Sequence, residues 1–551
     1  MRHAPNFALY YASDAYSTSK KMMGRQAAGQ ALLTGIARTW PRSQLHGLGV
    51  DGATGQNLLQ LLHKQGFSGQ LQWSSLPSLQ AAADAGALYY PAPPDKDLAA
   101  ARNLGNPAAF SLMGVAHSLS SLGAMDRLAE LILPPFKPWD ALICPSLAVK
   151  TYVTRLHEEM REYWRESIGA TRFVEMQLPV IPLGVDVPAF APRAAAREAA
   201  RSELGLGAED LVLLFAGRLA FHAKANPVSL YQALEKLAGQ RSVVCIEAGV
   251  FANPGMKHSY LTTQQALAPS VRFLWIDGHQ PASYRPAWQA ADIFVSLADN
   301  IQESFGLTPL EAMAAGLPVV VSDWDGYKDT VRDGIDGFRI PTVLPPAGAG
   351  ADMALRHALS LDTYDRYIGH ASLASVVEPQ ALAQALQLLA DDPGLRVQMG
   401  AAGRARATAQ YDWPVVLRRY AELAQELAGL RPQDIGEPPQ PWPQRADPFH
   451  RFAHFSSRTL NGQWLIRARP DAAARLERLL SLPMTNYAFD SPLLSREALP
   501  ALLATLDQDA RQTVDSALAN ADVATQVGVR ALMWLWKFDL LEVLVPATGR
   551  G

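Results

Sequence analysis

Cysteine is almost missing from this chain: its 551 residues include two, Cys144 and Cys245. Each sits in an apolar run, LICPS or VVCIEAG, that reads as a strand. A disulfide scaffold is thereby excluded, two small buried side chains are the simplest reading, and a reducing, cytoplasmic location fits. An excess of one charge is missing too. Lys and Arg number 49 against 52 Asp and Glu, a formal net charge of -3. Nothing in that balance suits a phosphate backbone, so no nucleic-acid partner is expected. Long apolar runs are also lacking. No window reaches the roughly 18 uncharged apolar residues of a membrane helix. The opening MRHAPNFALYYASDAY has no apolar core of a signal peptide. Peripheral contact with a membrane stays open. What is present is an ordinary globular balance, 49% hydrophobic and 18% charged, in a chain long enough for two or three domains.

Short apolar runs alternate with helical patterns. Strands are expected at 7–11, 45–50, 87–90, 110–116 and 141–144, with a helix over 21–39. Such alternation predicts a mostly parallel sheet covered by helices on both faces. The Pro-rich stretch LPVIPLGVDVPAF, 178–190, reads as a connector. A second doubly wound series follows, with strands at 211–216, 243–248, 271–276, 293–296 and 319–322. PTVLPPAGAG, 341–350, reads as a loop, and 352–368 as one helix of an insertion. RPQDIGEPPQPWPQ is too rich in proline for a helix or a central strand and reads as a linker. The domains expected are thus 1–185, 186–410, a linker over 431–445 and a mostly helical tail over 446–551. No repeat at solenoid spacing is found.

The chemistry concentrates in 299–342, DNIQESFGLTPLEAMAAGLPVVVSDWDGYKDTVRDGIDGFRIPT. Gly306 allows close approach of the backbone to a ligand. Thr308 is an N-cap type and Pro309 suits a first helical position, so a helix is expected from Pro309. Its free N–H groups and dipole would attract phosphate. Glu303 and Glu311 flank this turn, and carboxylates suit sugar hydroxyls. Thr308-Pro-Leu-Glu311 is equally a capping box, which needs no ligand. A second cluster, FAGRLAFHAK, follows the first strand of the second domain. Arg218 supplies a planar fork and Lys224 a point charge, fit to neutralise a diphosphate. A pair of surface cations explains them as well.

Together these motifs resemble a known family. Glu303 and Glu311, with seven residues between them, resemble the E-x7-E element of retaining glycosyltransferases of family 4. AGRL with Lys224 resembles their diphosphate loop, VIPLGVD their interdomain connector, and DGIDGF their turn after the site. Tyr411-Asp-Trp-Pro resembles the start of their crossover helix, here 411–430. The resemblance covers about residues 6–430. It implies an α/β, GT-B fold: two Rossmann-like doubly wound domains facing a cleft, to which the helical tail is added. It implies a nucleotide-sugar donor, a UDP-sugar by family habit, and a retained anomeric configuration. The acceptor, whether glycan, lipid, protein or small molecule, stays open. By the resemblance Glu311 holds the ribose and Glu303 the transferred sugar. Backbone groups of Phe305, Gly306, Leu307 and Thr308 contact sugar and phosphate. Arg218 and Lys224 hold the diphosphate, and His117, in GVAHS, faces the reacting sugar. Taken without the resemblance, His117 is an ordinary structural histidine.

The chain departs from the family pattern in places. Lys224 lies one residue further from Arg218 than usual, with Phe221 and His222 between. The first loop, SDAYSTSKKMMGRQAAGQ, lacks adjacent glycines, although Gly24 and Gly29 are near. Trp275 stands where a small residue is common. Asp323-Trp-Asp325 looks like a metal-binding DxD, but the resembled family uses cations and a helix end, so no metal or other cofactor is expected. Asp51-Gly-Ala-Thr-Gly55 reads as a turn. An epimerase or a phosphorylase on the same fold, or a nucleotide-sugar sensor acting through the tail, are the rival readings. The tail itself, whose ending resembles a winged-helix module, is open to acceptor capture, homo-oligomer formation or plain stabilisation. Within it Trp534, Trp536, Phe538 and Leu541 are expected as core.

Overall fold

A computed structural model describes residues 5–16, 24–192, 194–279, 281–432, 438–487, 489 and 493–545. The chain forms two compact units, Met1–Trp442 and Pro443–Gly551. The first contains two six-stranded sheets, each parallel throughout. In chain order the first sheet uses β1 Ala8–Tyr10, β2 Gln44–Gly49, β3 Gln70–Ser75, β4 Ala87–Tyr90, β5 Ser111–Val115 and β6 Ala141–Ile143. The second uses β7 Leu211–Leu219, β8 Val243–Phe251, β9 Arg272–Asp277, β10 Ile293–Ser296, β11 Val319–Ser322 and β12 Gly337–Ile340. The spatial orders are 3-2-1-4-5-6 and 12-11-10-7-8-9. Both are doubly wound, the α/β GT-B pattern expected. Central strands such as β10 and β11 are buried at every position, because helices cover both faces of a parallel sheet.

Two strands escape the sequence pattern. β3 is a sheet edge, half-buried along most of its length and carrying Gln and Ser. β12, the opposite edge of the other sheet, begins on Gly337. An edge strand can do with less apolar surface, and these two do, whereas the other edges, β6 and β9, keep apolar runs that the sequence shows.

The segment expected as one helix over 352–368 is two, Ala351–Ala358 and Tyr364–Leu373. Ser360 takes a positive φ of 56°, which no helix continues, and the Thr363 side chain caps the second helix by accepting from the Arg366 N–H. Thr342–Val343 pairs antiparallel with Val376–Val377, so 344–375 is an excursion closed at its base by a small ribbon.

Helix Trp413–Leu430 lies against helix Gly24–Thr39 of the first sheet's layer. Trp413 is the wedge, and neither Gly35 nor Gly184 leaves room for a Cβ beside it. Arg38 joins Asp186 of the connector to Asp412, which precedes this helix.

The second unit is helical around an antiparallel three-stranded sheet, Leu465–Ala468 flanked by Gln512–Thr513 and Leu541–Leu544. Leu541 and Trp534 are buried, and Trp534 donates its indole N–H to the Thr485 carbonyl at 3.0 Å. Trp536 and Phe538 pack against this core only in part.

Candidate functional site

In a doubly wound sheet, ligands bind at the carboxyl ends of the strands where the winding reverses. In the second sheet that point lies between β7 and β10. β7 ends in Gly217-Arg218-Leu219, and β10 runs on into 297–306. Arg218 and Glu303 therefore arise from the two loops that face each other there.

Asn300 sets the geometry. Its side chain is fully buried and donates to the His222 carbonyl at 2.7 Å and to the Ile368 carbonyl at 3.3 Å. Its own oxygen accepts from the Gln302 N–H at 2.9 Å. One amide thus fixes three segments. Between Arg218 and Lys224 the loop makes a turn, with the Lys224 N–H bonded to the Ala220 carbonyl at 2.9 Å. Phe221 packs its ring toward Tyr260, 6.3 Å between centroids. Lys224 turns back into the cluster.

The structure brings four of the named side chains together. Lys224 forms an ion pair with Glu303, both about four-fifths buried or more. Burial opposes the ammonium charge, but Glu303 and the Tyr327 hydroxyl outweigh it and hold Lys224 above the ordinary lysine range. Arg218 Nη2 donates to Gln302 Oε1 at 2.5 Å and to the Ala223 carbonyl at 3.2 Å. Glu311 feels the Lys224 charge, yet burial dominates and pushes its carboxyl up to about 7. A carboxyl of that kind changes charge near neutrality. Beneath them lies Tyr327, wholly buried, its hydroxyl 2.8 Å from Ser296 Oγ.

The helix behind the turn begins two residues earlier than expected, as Leu307–Ala314. Gly306 is its cap, with φ 83°, and no side chain bonds the first turn. The left-handed glycine bends the chain so sharply that residue 307 is already helical. Pro309 is tolerated because N–H groups throughout a first turn lack intrahelical partners. Thr308 is then inside the helix, its buried hydroxyl without a partner. The capping-box explanation of Glu311 is therefore corrected: Gly306, not Thr308, is the cap. Phe305 is buried, with its backbone pressed against Gly326, and Leu307 is half-buried. The turn consequently offers backbone, not side chains, to a ligand.

His117 stands on the other sheet, past β5, with Nε2 3.2 Å from the Pro91 carbonyl, past β4. Three residues on, Ser120 Oγ lies 2.8 Å from the Tyr364 hydroxyl. Further along the same seam, Ser146 Oγ donates to the Ser304 carbonyl at 3.1 Å, and the Leu147 N–H to Asp329 at 2.6 Å. A cavity of about 730 Å³ opens there, lined in part by Tyr152, Arg155, Asp325 and Lys328.

Asp323 and Asp325 do not converge. Asp323 lies 3.4 Å from Arg339, while Asp325, at φ 43°, faces Ser146. Burial and then nearby Glu303 push the Asp325 carboxyl up to about 8. Among the described residues no group of three or more His, Cys, Asp or Glu could hold a metal ion. Asp51 caps helix Gly52–Lys64. Residues 17–23 of the first loop and 433–437 of the linker lie outside the described residues; Gly24 opens its helix and Gly29 is buried within it. Sequence reasoning missed Asn300, Gln302, Ser120 and Tyr364. Only the nearness of Asn300 and Gln302 to Glu303 could have flagged any of them.

Known proteins resemble this chain over part of its length. A D-inositol 3-phosphate glycosyltransferase of Kineococcus radiotolerans is 31% identical over 266 residues, 46% of this chain and 54% of the relative. One of that name from Actinosynnema mirum is 37% identical over 169 residues, 29% of this chain and 39% of the relative. The chain spans about half the length, or less, of the curated relatives it matches. Among solved structures, Anabaena HepE in complex with UDP superposes with a TM-score of 0.50 at 19% identity, over 76% of this chain and 99% of its own, a likeness of fold. Among the described residues, no helix is long and apolar enough to cross a membrane. The family model for glycosyl transferases group 1 matches residues 196–348, which include Arg218, Lys224, Glu303, Phe305, Gly306, Leu307, Thr308 and Glu311: this stretch is a glycosyl transferases group 1 domain.

Proposed function

We propose that the chain is a retaining glycosyltransferase of family 4, moving a sugar from a nucleotide-sugar, a UDP-sugar first of all, to an acceptor. One observation carries this: Arg218, Lys224, Glu303 and Glu311 gather beside the open N-terminus of helix Leu307–Ala314, where the winding of the second sheet reverses. Two cations and a helix end suit a leaving diphosphate. The bond from the anomeric carbon to the β-phosphate oxygen breaks, the acceptor oxygen bonds that carbon and passes its proton to the departing diphosphate, and these groups stabilise the charge that develops on the diphosphate. Glu303, oriented by Lys224, holds the transferred sugar, Glu311 the ribose, and His117 faces the sugar from the other domain. The positive charge comes from protein, so no metal is required. Cytoplasmic placement is part of this reading, and two buried free thiols suit it.

Thermal unfolding against UDP, GDP, ADP and CDP, with and without magnesium, tests the donor site. A ligand at a hundred times its dissociation constant adds about 2.7 kcal/mol, a rise of several degrees. The expected result is a shift with UDP that magnesium does not change. No shift with any of the four removes the nucleotide.

Glu311 adds a pH dependence. Its carboxyl titrates at about 7 in the empty site, and ribose hydroxyls need the ionised form. Below pH 7 binding must first expel a proton, so nucleotide affinity is expected to fall up to tenfold per unit as pH drops, and to level off above pH 8. Glu311→Gln is expected to bind weakly and without this slope, measured by calorimetry from pH 5.5 to 8.5 with a UDP-sugar, which lacks the terminal phosphate that titrates at about pH 6 in a free nucleotide. A slope surviving in Glu311→Gln would assign the titration elsewhere.

A further inference from the structure

Helix Tyr364–Leu373 belongs to the excursion 344–375, yet it is tied to the donor cluster. The Ile368 carbonyl accepts from Asn300, and its buried side chain packs with Ala220 and Ala223 of the Arg218–Lys224 loop. At the head of the helix, the Tyr364 hydroxyl stands between the two Rossmann-like domains. Ser120 Oγ is 2.8 Å away on one side, and Gln302 Nε2 donates to it at 3.2 Å on the other. Gln302 in turn accepts from Arg218 at 2.5 Å.

The Arg218 end of this chain of bonds has a fixed direction. A guanidinium only donates, so the Gln302 oxygen must face Arg218 and its NH₂ must face Tyr364. The Tyr364 oxygen accepts that bond, and in the Tyr364–Ser120 pair either hydroxyl can be the donor. Each bond polarises the next. We propose that Tyr364 is a positioning residue: its hydroxyl clasps the loop after His117 to Gln302, and through Gln302 it aims the Arg218 guanidinium. Closing the two domains and setting the diphosphate ligand are then one event. A ring that only packed would need no hydroxyl, and Tyr364→Phe separates the two roles because the ring stays beside His357 and Ile368.

The clasp does not depend on the donor's identity; its effect on binding rests on the proposed function. Hydrogen exchange of the full, ligand-free chain tests the clasp. Tyr364→Phe is expected to speed exchange about fivefold to tenfold, the worth of one net hydrogen bond in a local opening, both at 117–121 and at 218–224. Ser120→Ala should act on the first segment and Gln302→Ala on the second. No change at either segment in Tyr364→Phe overturns the clasp. Calorimetry with UDP tests the aim. Tyr364→Phe and Gln302→Ala should each weaken UDP about tenfold, and the double variant no more than either alone. Additive losses, or none, overturn the positioning role. A wild-type chain that does not bind UDP counts against the proposed nucleotide, while exchange still decides the clasp.

Discussion

Arg218→Ala is expected to lower turnover of the nucleotide-sugar by about 10²–10³-fold, the cost of removing one preorganised donor aimed at developing charge. Stability should fall by about 2 kcal/mol, which leaves the chain folded. Arg218 bonds one carbonyl and one neutral amide, contacts worth about 1 kcal/mol each in net terms, and its loss strands no buried carboxylate. Arg218→Lys should recover part of the rate, since it restores charge but not the planar fork. Lys224→Ala would be a poorer test, because it leaves the Glu303 carboxylate in a largely buried place without its partner and confounds chemistry with folding. Initial rates of sugar release from the donor, read beside melting curves, decide the matter. An Arg218→Ala variant that folds and turns over normally would remove the diphosphate role of this residue, and with it the strongest support for a transferase.

The contrast between Arg218 and its supports shows which parts of the site are visible in sequence. Arg218, Lys224, Glu303 and Glu311 lie in two short stretches whose spacing is itself chemical, so they stood out. Asn300 and Gln302 sit within one of those stretches, but their importance comes from partners far along the chain: His222 and Ile368 for the first, Arg218 and Tyr364 for the second. Tyr364 and Ser120 are 244 residues apart, and no local pattern links them. The same limit explains the fold. Fully buried strands such as β10 and β11 were legible from apolar runs, whereas the edge strands β3 and β12 were not. The helix behind the turn was legible, and its start was misplaced because a positive φ at Gly306 leaves no mark except the glycine. The 344–375 excursion was recognised as an interruption, but Ser360 divides its expected helix by a backbone choice that serine rarely makes.

Gly306→Ala is expected to damage both the stability of the second Rossmann-like domain and nucleotide binding. A Cβ on Gly306 would enter the ring of Tyr327. That ring is wholly buried and tethered through its hydroxyl to Ser296, so it has nowhere to retreat. Alanine would also have to adopt φ 83°, which L side chains rarely accept. Strain of about 1–3 kcal/mol and overpacking of about 1–3 kcal/mol put the total near 2–6 kcal/mol. The affected backbone is the cap of helix Leu307–Ala314, so the N–H groups offered to phosphate would shift with it, and nucleotide binding should fall further than stability alone explains. Urea unfolding of Gly306→Ala, Tyr327→Ala and the double variant separates the two costs. If the clash is the main term, the double variant should be more stable than the sum of the single losses predicts, because the cavity left by Tyr327 receives the new methyl. Nucleotide binding should stay weak in it, since the backbone strain remains. Equal stability of Gly306→Ala and wild type would mean that the turn can adopt another path, and the tight cradle described between Glu303 and Glu311 would not be what holds the donor.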